Sequence, residues 1–196
     1  MPDDRYDLVM VIMRKNQVAS VLPSIARNQS PSVIFMCNSA SGPKEIADAI
    51  GEERTVLGFV AAGGSRKNQV VTYLSVEKSQ PTTIGEITGE ITPRLKDIGA
   101  LLQQGGFAVS YETKIDDWLR SHVALVAPIA MAVYAAGGST RKIVENPKVF
   151  RLMLGSIKEG LNGLATAGFT ILPSKFGLAR YVPVSILAIL LRSMFA

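Results

Sequence analysis

Arg14, Asn38, Arg120 and His122 are the side chains of this 196-residue chain whose type and setting fit chemistry on a small anionic molecule. Arg14 follows the apolar run Asp7–Met13, and its planar guanidinium can hold a phosphate or carboxylate with paired bonds that Lys cannot match. Asn38 follows a second apolar run, Ser32–Cys37, where an open α/β sheet would bind ligands at its strand ends. His122 is the only histidine and, at its ordinary pKa, can give up a proton near neutrality. Arg120 stays protonated, so it can bind a carboxylate but cannot donate a proton to a reaction. Two apart on a helix, Arg120 and His122 point to different faces. Each also has a plain structural reading: a solvated strand-end cation for Arg14, a locally satisfied turn residue for Asn38, a histidine settled beside the core for His122.

Other chemistries are excluded. Cys37 is the single cysteine, so no intrachain disulfide forms, and one Cys with one His cannot make a conventional zinc cluster. A reducing, cytoplasmic setting follows as the simpler expectation. The net charge of +5 is scattered and contains no run of five like charges, so no nucleic-acid arm is expected. The polar, acidic start, Met1 to Asp7, is not expected to act as a signal peptide. The two most apolar stretches, Val123–Ala136 and Tyr181–Leu191, contain Pro128 and Pro183 and fall short of the roughly 20 residues that span a bilayer. Buried helix, with no membrane partner, is therefore expected of both.

The elements that must position these side chains follow from periodicity. The apolar runs Asp7–Met13, Ser32–Cys37 and Thr55–Val60 predict strands buried on both faces. Gln17–Asn28 and Pro43–Ile50 predict the helices between them. Strand and helix alternating in this way is the doubly wound pattern, with right-handed crossovers and a parallel sheet. Gln69–Val76 alternates and is expected to pair with Thr82–Ile87. Thr92–Gln104 predicts a helix ended by Gly105-Gly106, and Phe107–Tyr111 another strand. Beyond Glu112 the pattern is helical: Ile115–Ala136 stopped by Gly137-Gly138, then Pro147–Gly168, then Pro173 onward with a break at Pro183.

The fold class expected is thus an α/β Rossmann-like domain over residues 1–113, followed by an all-α domain over 114–196. A G-x-G-x-x-G turn, whose amides would meet a pyrophosphate at a helix N-terminus, does not occur. Ala61–Ser65 has the wrong spacing and leads into a strand-like segment. The first βαβ unit is therefore expected to be missing, the sheet being entered at its fourth strand. The helical domain is expected to be incomplete as well, the chain ending in the apolar segment Leu191–Ala196. A parent chain would carry the glycine motif about 70 residues before Asp7, the space a mononucleotide-binding unit fills.

In this order the segments resemble the ketopantoate reductase (2-dehydropantoate 2-reductase) family. Asp7–Gln17 is similar to the family's strand ending in a Lys with a Gln three residues on, Arg14 standing at the Lys position. Phe35–Gly42, with Asn38, resembles its strand and Asn-Gly-x-Gly turn. Val56–Arg66 resembles its glycine-containing strand, and Ile115–Ala124 sits where the family has a Trp-x-Lys helix start. The resemblance implies hydride transfer from NADPH to a 2-oxo acid, 2-dehydropantoate, giving the 2-hydroxy acid pantoate in pantothenate synthesis. It implies that Arg14 and Asn38 are cofactor-binding, Asn38 hydrogen-bonding cofactor or substrate. The family's Lys, its proton donor, falls on His122 when counted from Ile115 and on Arg120 when aligned on Trp118. Chemistry favours His122 as the acid and Arg120 as the substrate anchor. The family's two Asn downstream of that Lys are replaced here by apolar residues such as Ala124, Val126 and Ala127. With the glycine-rich loop absent, the chain alone is expected to be inactive.

Two other readings stand beside the reductase. The apolar helical segments allow a non-catalytic interaction or homodimerisation module derived from the same fold. A membrane-associated terminal helix flanked by Arg180 and Arg192 ranks last.

Overall fold

The computed structural model describes residues 4–75 and 80–192. The chain divides into two compact units, Met1–Leu119 and Arg120–Ala196. The division falls inside one helix, whose first turn belongs with the sheet.

In the first unit, β1 (Val9–Val11), β2 (Val33–Met36) and β3 (Thr55–Phe59) run parallel, joined through α1 (Lys15–Arg27) and α2 (Lys44–Ile50). β2 and β3 are buried on both faces, as in a parallel sheet covered by crossover helices, whereas β1, at the sheet edge, buries Val11 and leaves Met10 exposed. Register pairs Val9 with Val33 and Ile34 with Val56. The sheet continues with β6 (Thr82–Glu86), antiparallel to β3, and β7 (Val109–Tyr111), parallel to β6, in the order β1-β2-β3-β6-β7. The helix α3 (Pro93–Gln104) connects these last two strands and packs Leu95, Ile98 and Leu102 onto Ile34, Val56 and Ile84.

One expected pairing is corrected. The strand predicted over Gln69–Val76 does not pair with Thr82–Ile87. It forms β5 (Val70–Ser75), which pairs with β4 (Ala62–Lys67) as a separate two-stranded sheet; Val76 lies outside the described residues. Asn68 and Gln69 both take positive φ, 48° and 64°, the conformation of a two-residue hairpin turn that matches strand twist. That local turn outcompetes the longer connection to β6, which instead completes the main sheet beside β3. Ala61–Ser65, not a glycine-rich phosphate turn, enters β4.

Polar locks hold this frame. Arg54 reaches the end of α1, donating to the carbonyls of Ile25, Asn28 and Ser30 at 3.3, 2.6 and 2.9 Å, which satisfies acceptors left open at a helix C-terminus. Glu86, 2% exposed, accepts from Arg94 Nε at 2.8 Å and Nη2 at 2.5 Å, and from the Thr92 hydroxyl at 2.6 Å. Thr92 also caps α3, its hydroxyl accepting from Leu95 N at 3.2 Å. Sheet, cap and helix start are thus tied through one carboxylate.

The helix α4 (Ile115–Ala135) is stopped by Gly137 and Gly138 at φ 66° and 87°, left-handed values that favour glycine. It is the one helix among the described residues long and apolar enough to cross a membrane by length and composition. The span is longer than the apolar stretch because its first two turns carry Asp116, Asp117, Arg120 and His122. The charges of Asp116, Asp117 and Arg120 make a bilayer setting costly.

The second unit adds α5 (Thr140–Glu145), α6 (Pro147–Thr166), α7 (Ser174–Ala179) and α8 (Val184–Leu191). The short α5 was not anticipated; Ser139 caps its start and Asn146-Pro147 ends it while capping α6. Pro183 separates α7 from α8, as its missing amide and fixed φ suggest. Ala132, Ile143, Val144, Phe150, Met153, Leu154 and Leu187 form the core of this unit. Gly160 permits close approach: a Cβ there would meet the Ala124 methyl at 3.3 Å. Of the apolar ending expected over Leu191–Ala196, the last four residues lie outside the described residues.

Candidate functional site

The ends of β1, β2 and β3 open together into a cleft of about 640 Å³. Its lining includes Ile12, Met13, Arg14 and Lys15 after β1, Met36, Cys37 and Asn38 at the end of β2, and Phe59 and Val60 at the end of β3. The carboxyl ends of parallel strands are where open α/β sheets bind ligands. Apolar and aromatic residues line it together with a guanidinium, an ammonium and the amides of Asn16, Gln17 and Asn38. That mixture is typical of a small-molecule site, apolar area for affinity and a few polar groups for orientation.

Arg14 and Asn38, far apart in sequence, are brought together here, both with exposed side chains. The backbone fixes Arg14: its amide donates to Gln17 Oε1 at 3.1 Å and its carbonyl accepts from Gln17 N at 2.9 Å. Gln17 therefore has a local task, closing the first turn of α1 beneath Arg14. Lys15 turns toward α2 and pairs with Glu45 at 2.7 Å. Burial pushes the Cys37 thiol above its ordinary pKa, and the nearby Lys15 charge only partly opposes this. Cys37 is thus a thiol at neutral pH and a packing residue, since reactivity requires the thiolate.

Lys15, Cys37 and Phe59 were not singled out as site residues. Their signal was present, for Lys15 and Cys37 adjoin Arg14 and Asn38 and Phe59 ends a predicted strand, but a strand end alone does not say which neighbours turn inward. Behind Phe59 stands Trp118, with ring centroids 6.1 Å apart and planes inclined at 40°. Trp118 is 8% exposed, so the first turn of α4 serves as backing for the cleft's aromatic wall.

Arg120 and His122 lie in the second unit and are both half-buried. The Arg120 guanidinium sits 4.2 Å from the centroid of the Phe169 ring, a cation–π contact that orients it. Between them, Ser121 is fully buried and its hydroxyl accepts from Leu172 N at 3.0 Å. Burial lowers the His122 pKa from 6.5 to about 4. At neutral pH the imidazole is therefore neutral, able to hydrogen-bond but holding no extra proton to transfer. No group of three or more His, Cys, Asp or Glu that could hold a metal ion occurs among the described residues.

Residues 2–89 match the family model described as "Ketopantoate reductase PanE/ApbA". The match covers a little under half of the chain. Solved structures extend the likeness in fold along the chain. The chain is similar to 2-dehydropantoate 2-reductase from Geobacter metallireducens GS-15, with 16% identity and a TM-score of 0.72 over 97% of this chain and 61% of that one. It is similar to D-mandelate dehydrogenase in complex with NADH and anilino(oxo)acetate, with 12% identity and a TM-score of 0.73 over 100% and 59%. Dimeric ketopantoate reductase from Staphylococcus aureus gives 17% identity and a TM-score of 0.65 over 91% and 60%. The chain thus spans about three fifths of the length of these structures. No curated protein matches it. The fold is a Rossmann-like domain followed by a helical domain, as in the ketopantoate reductases.

Proposed function

We propose that this chain carries part of an NADPH-dependent reductase of a 2-oxo acid, 2-dehydropantoate being the substrate the family match favours. The observation that supports this most is the convergence of Arg14 and Asn38 on one cleft at the strand ends of a family-matched segment. In this reading Arg14 holds an anionic group of the cofactor and Asn38 hydrogen-bonds a polar edge of it. The cofactor, when bound, supplies the hydride; the protein orients it. Arg120 and His122 lie on different faces of α4, so one of the two is assigned to the substrate: Arg120 to its carboxylate or His122 to its ketone oxygen. With a pKa of about 4, His122 would act on that oxygen as a neutral hydrogen-bond donor, and the product's proton comes from solvent. The setting proposed is cytoplasmic.

The substrate side is tested by 2-dehydropantoate binding. If Arg120 is the contact, Arg120→Ala should weaken it by roughly tenfold or more, the value of a charge-assisted bond, and His122→Gln, which keeps a donor, should weaken it less. Binding insensitive to Arg120→Ala would overturn the Arg120 assignment. Without a G-x-G-x-x-G in this sequence, the chain alone is expected to show no turnover; ready turnover would show that the pyrophosphate is held by other means.

A second reading has its own support. Met131, Tyr134, Leu152, Leu178, Tyr181 and Ile189 of the second unit are exposed, between 63 and 78%. Apolar exposure on this scale suits a homodimer interface, and one ketopantoate reductase of like fold is described as dimeric.

A further inference from the structure

Phe59 gives the cleft a feature that anion binding does not use. It is the last residue of β3, and its backbone is fixed by register with Thr83 of β6. Just past it, the Ala61 amide donates to the Thr82 hydroxyl at 3.2 Å, which pins the chain as it leaves the strand. The ring is backed by Trp118 at 6.1 Å. Trp118 is itself buried against the sheet beside Leu119 and Ile115. An aromatic side chain immobilised in this way keeps a flat, polarisable surface in a fixed place at low entropic cost. Ile12, Met13 and Met36 also line the cleft. Arg14 and Lys15 stand at the same mouth.

We propose that Phe59, positioned by Trp118, is a specificity-determining wall that makes this cleft select ligands combining a flat aromatic or heteroaromatic ring with an anionic group. Two sources share that chemistry: the nicotinamide nucleotide end of a cofactor, and an aromatic 2-oxo acid. The inference deepens the cofactor reading of the same cleft and rests on it only for the first source. Phe59 is the ring-facing residue; Trp118 is a positioning residue that acts through it.

The test uses three probes on the full chain, with binding followed by NMR shift titration: reduced nicotinamide mononucleotide, phenylglyoxylate, and the ring-free 3-methyl-2-oxobutanoate. Trp118 is the only tryptophan, so its indole N–H signal is unambiguous. The indole signal is expected to shift with a ring-bearing probe and to stay in place with the ring-free one. Phe59→Leu keeps apolar bulk and should weaken the ring-bearing probe by roughly three- to tenfold, the range an aromatic pair supplies, while leaving the ring-free acid unchanged. Phe59→Tyr and Trp118→Phe should retain binding, whereas Trp118→Leu should weaken it in step with Phe59→Leu. Binding of phenylglyoxylate alone supports the ring wall and removes the cofactor reading. Binding of the mononucleotide that Arg14→Ala weakens but Phe59→Leu leaves intact keeps the cofactor reading and overturns the wall. Equal losses for all three probes, or no binding of either ring-bearing probe, overturn it as well.

Discussion

At the scale of single residues, two titratable groups shielded from water both make the fold less stable in acid. Burial alone would raise the Glu86 carboxyl, but the bonds from Arg94 and Thr92 and the Arg94 charge outweigh it and hold the pKa below the ordinary value. Its contribution to stability is then present above the unfolded pKa, near 4.5, and is lost as pH falls through the lower folded value. Glu86→Gln should destabilise the fold by about 2–3 kcal/mol at neutral pH in urea unfolding, because it strands Arg94 against the sheet; a loss below about 0.5 kcal/mol would show the pair to be incidental. The His122 pKa is also lowered, here by burial. Between pH 6.5 and about 4 the unfolded chain binds a proton that the folded chain refuses, so stability falls as pH drops through that window. The His122 ring signals should titrate near 4 by NMR; a midpoint near 6.5 would restore it as a proton donor at neutrality. The sequence shows only that His122 can titrate in the neutral range. Its depressed pKa depends on how deeply the first turns of α4 bury the ring, which no spacing encodes.

At the scale of elements, most of the frame was legible. Continuous apolar runs mark β1, β2 and β3, and the cap Thr92 with the stop at Gly105 marks α3, because strand burial and capping leave local compositional traces. The β4–β5 hairpin was not legible, for its turn is Asn68-Gln69 rather than an Asn-Gly pair and β4 is rich in glycine. Helix–sheet packing depends on residues too small to draw notice in a sequence. Gly99 of α3 faces Tyr111 of β7 so closely that a Cβ would fall inside contact distance of the phenol. Gly99→Ala should therefore destabilise by about 1–3 kcal/mol despite alanine's better helix propensity. The added change Tyr111→Phe should recover part of that loss. A Gly99→Ala protein as stable as the parent would mean that α3 and β7 shift apart freely.

At the scale of the whole molecule, the candidate site was half legible. Arg14 and Asn38 were found because both follow strands whose parallel pairing brings their ends together. Phe59 and Trp118 were not, since their contact joins β3 to α4 across nearly sixty residues of intervening chain. The exposed apolar side chains of the second unit carry a further expectation. Light scattering should show association that strengthens with concentration, and Ile189→Lys with Tyr181→Lys should weaken it. A monodisperse monomer at every concentration would contradict the dimer reading.

The central claim is that the cleft at the ends of β1, β2 and β3 holds the nicotinamide cofactor. It is tested most directly by calorimetric titration of the chain with NADPH, alone and in the Arg14→Ala and Asn38→Ala variants. The account predicts weak but saturable binding, since no glycine-rich turn contributes amides to the pyrophosphate, and a further loss of roughly tenfold or more in Arg14→Ala. Binding that neither substitution changes, or no binding at millimolar NADPH, would contradict it.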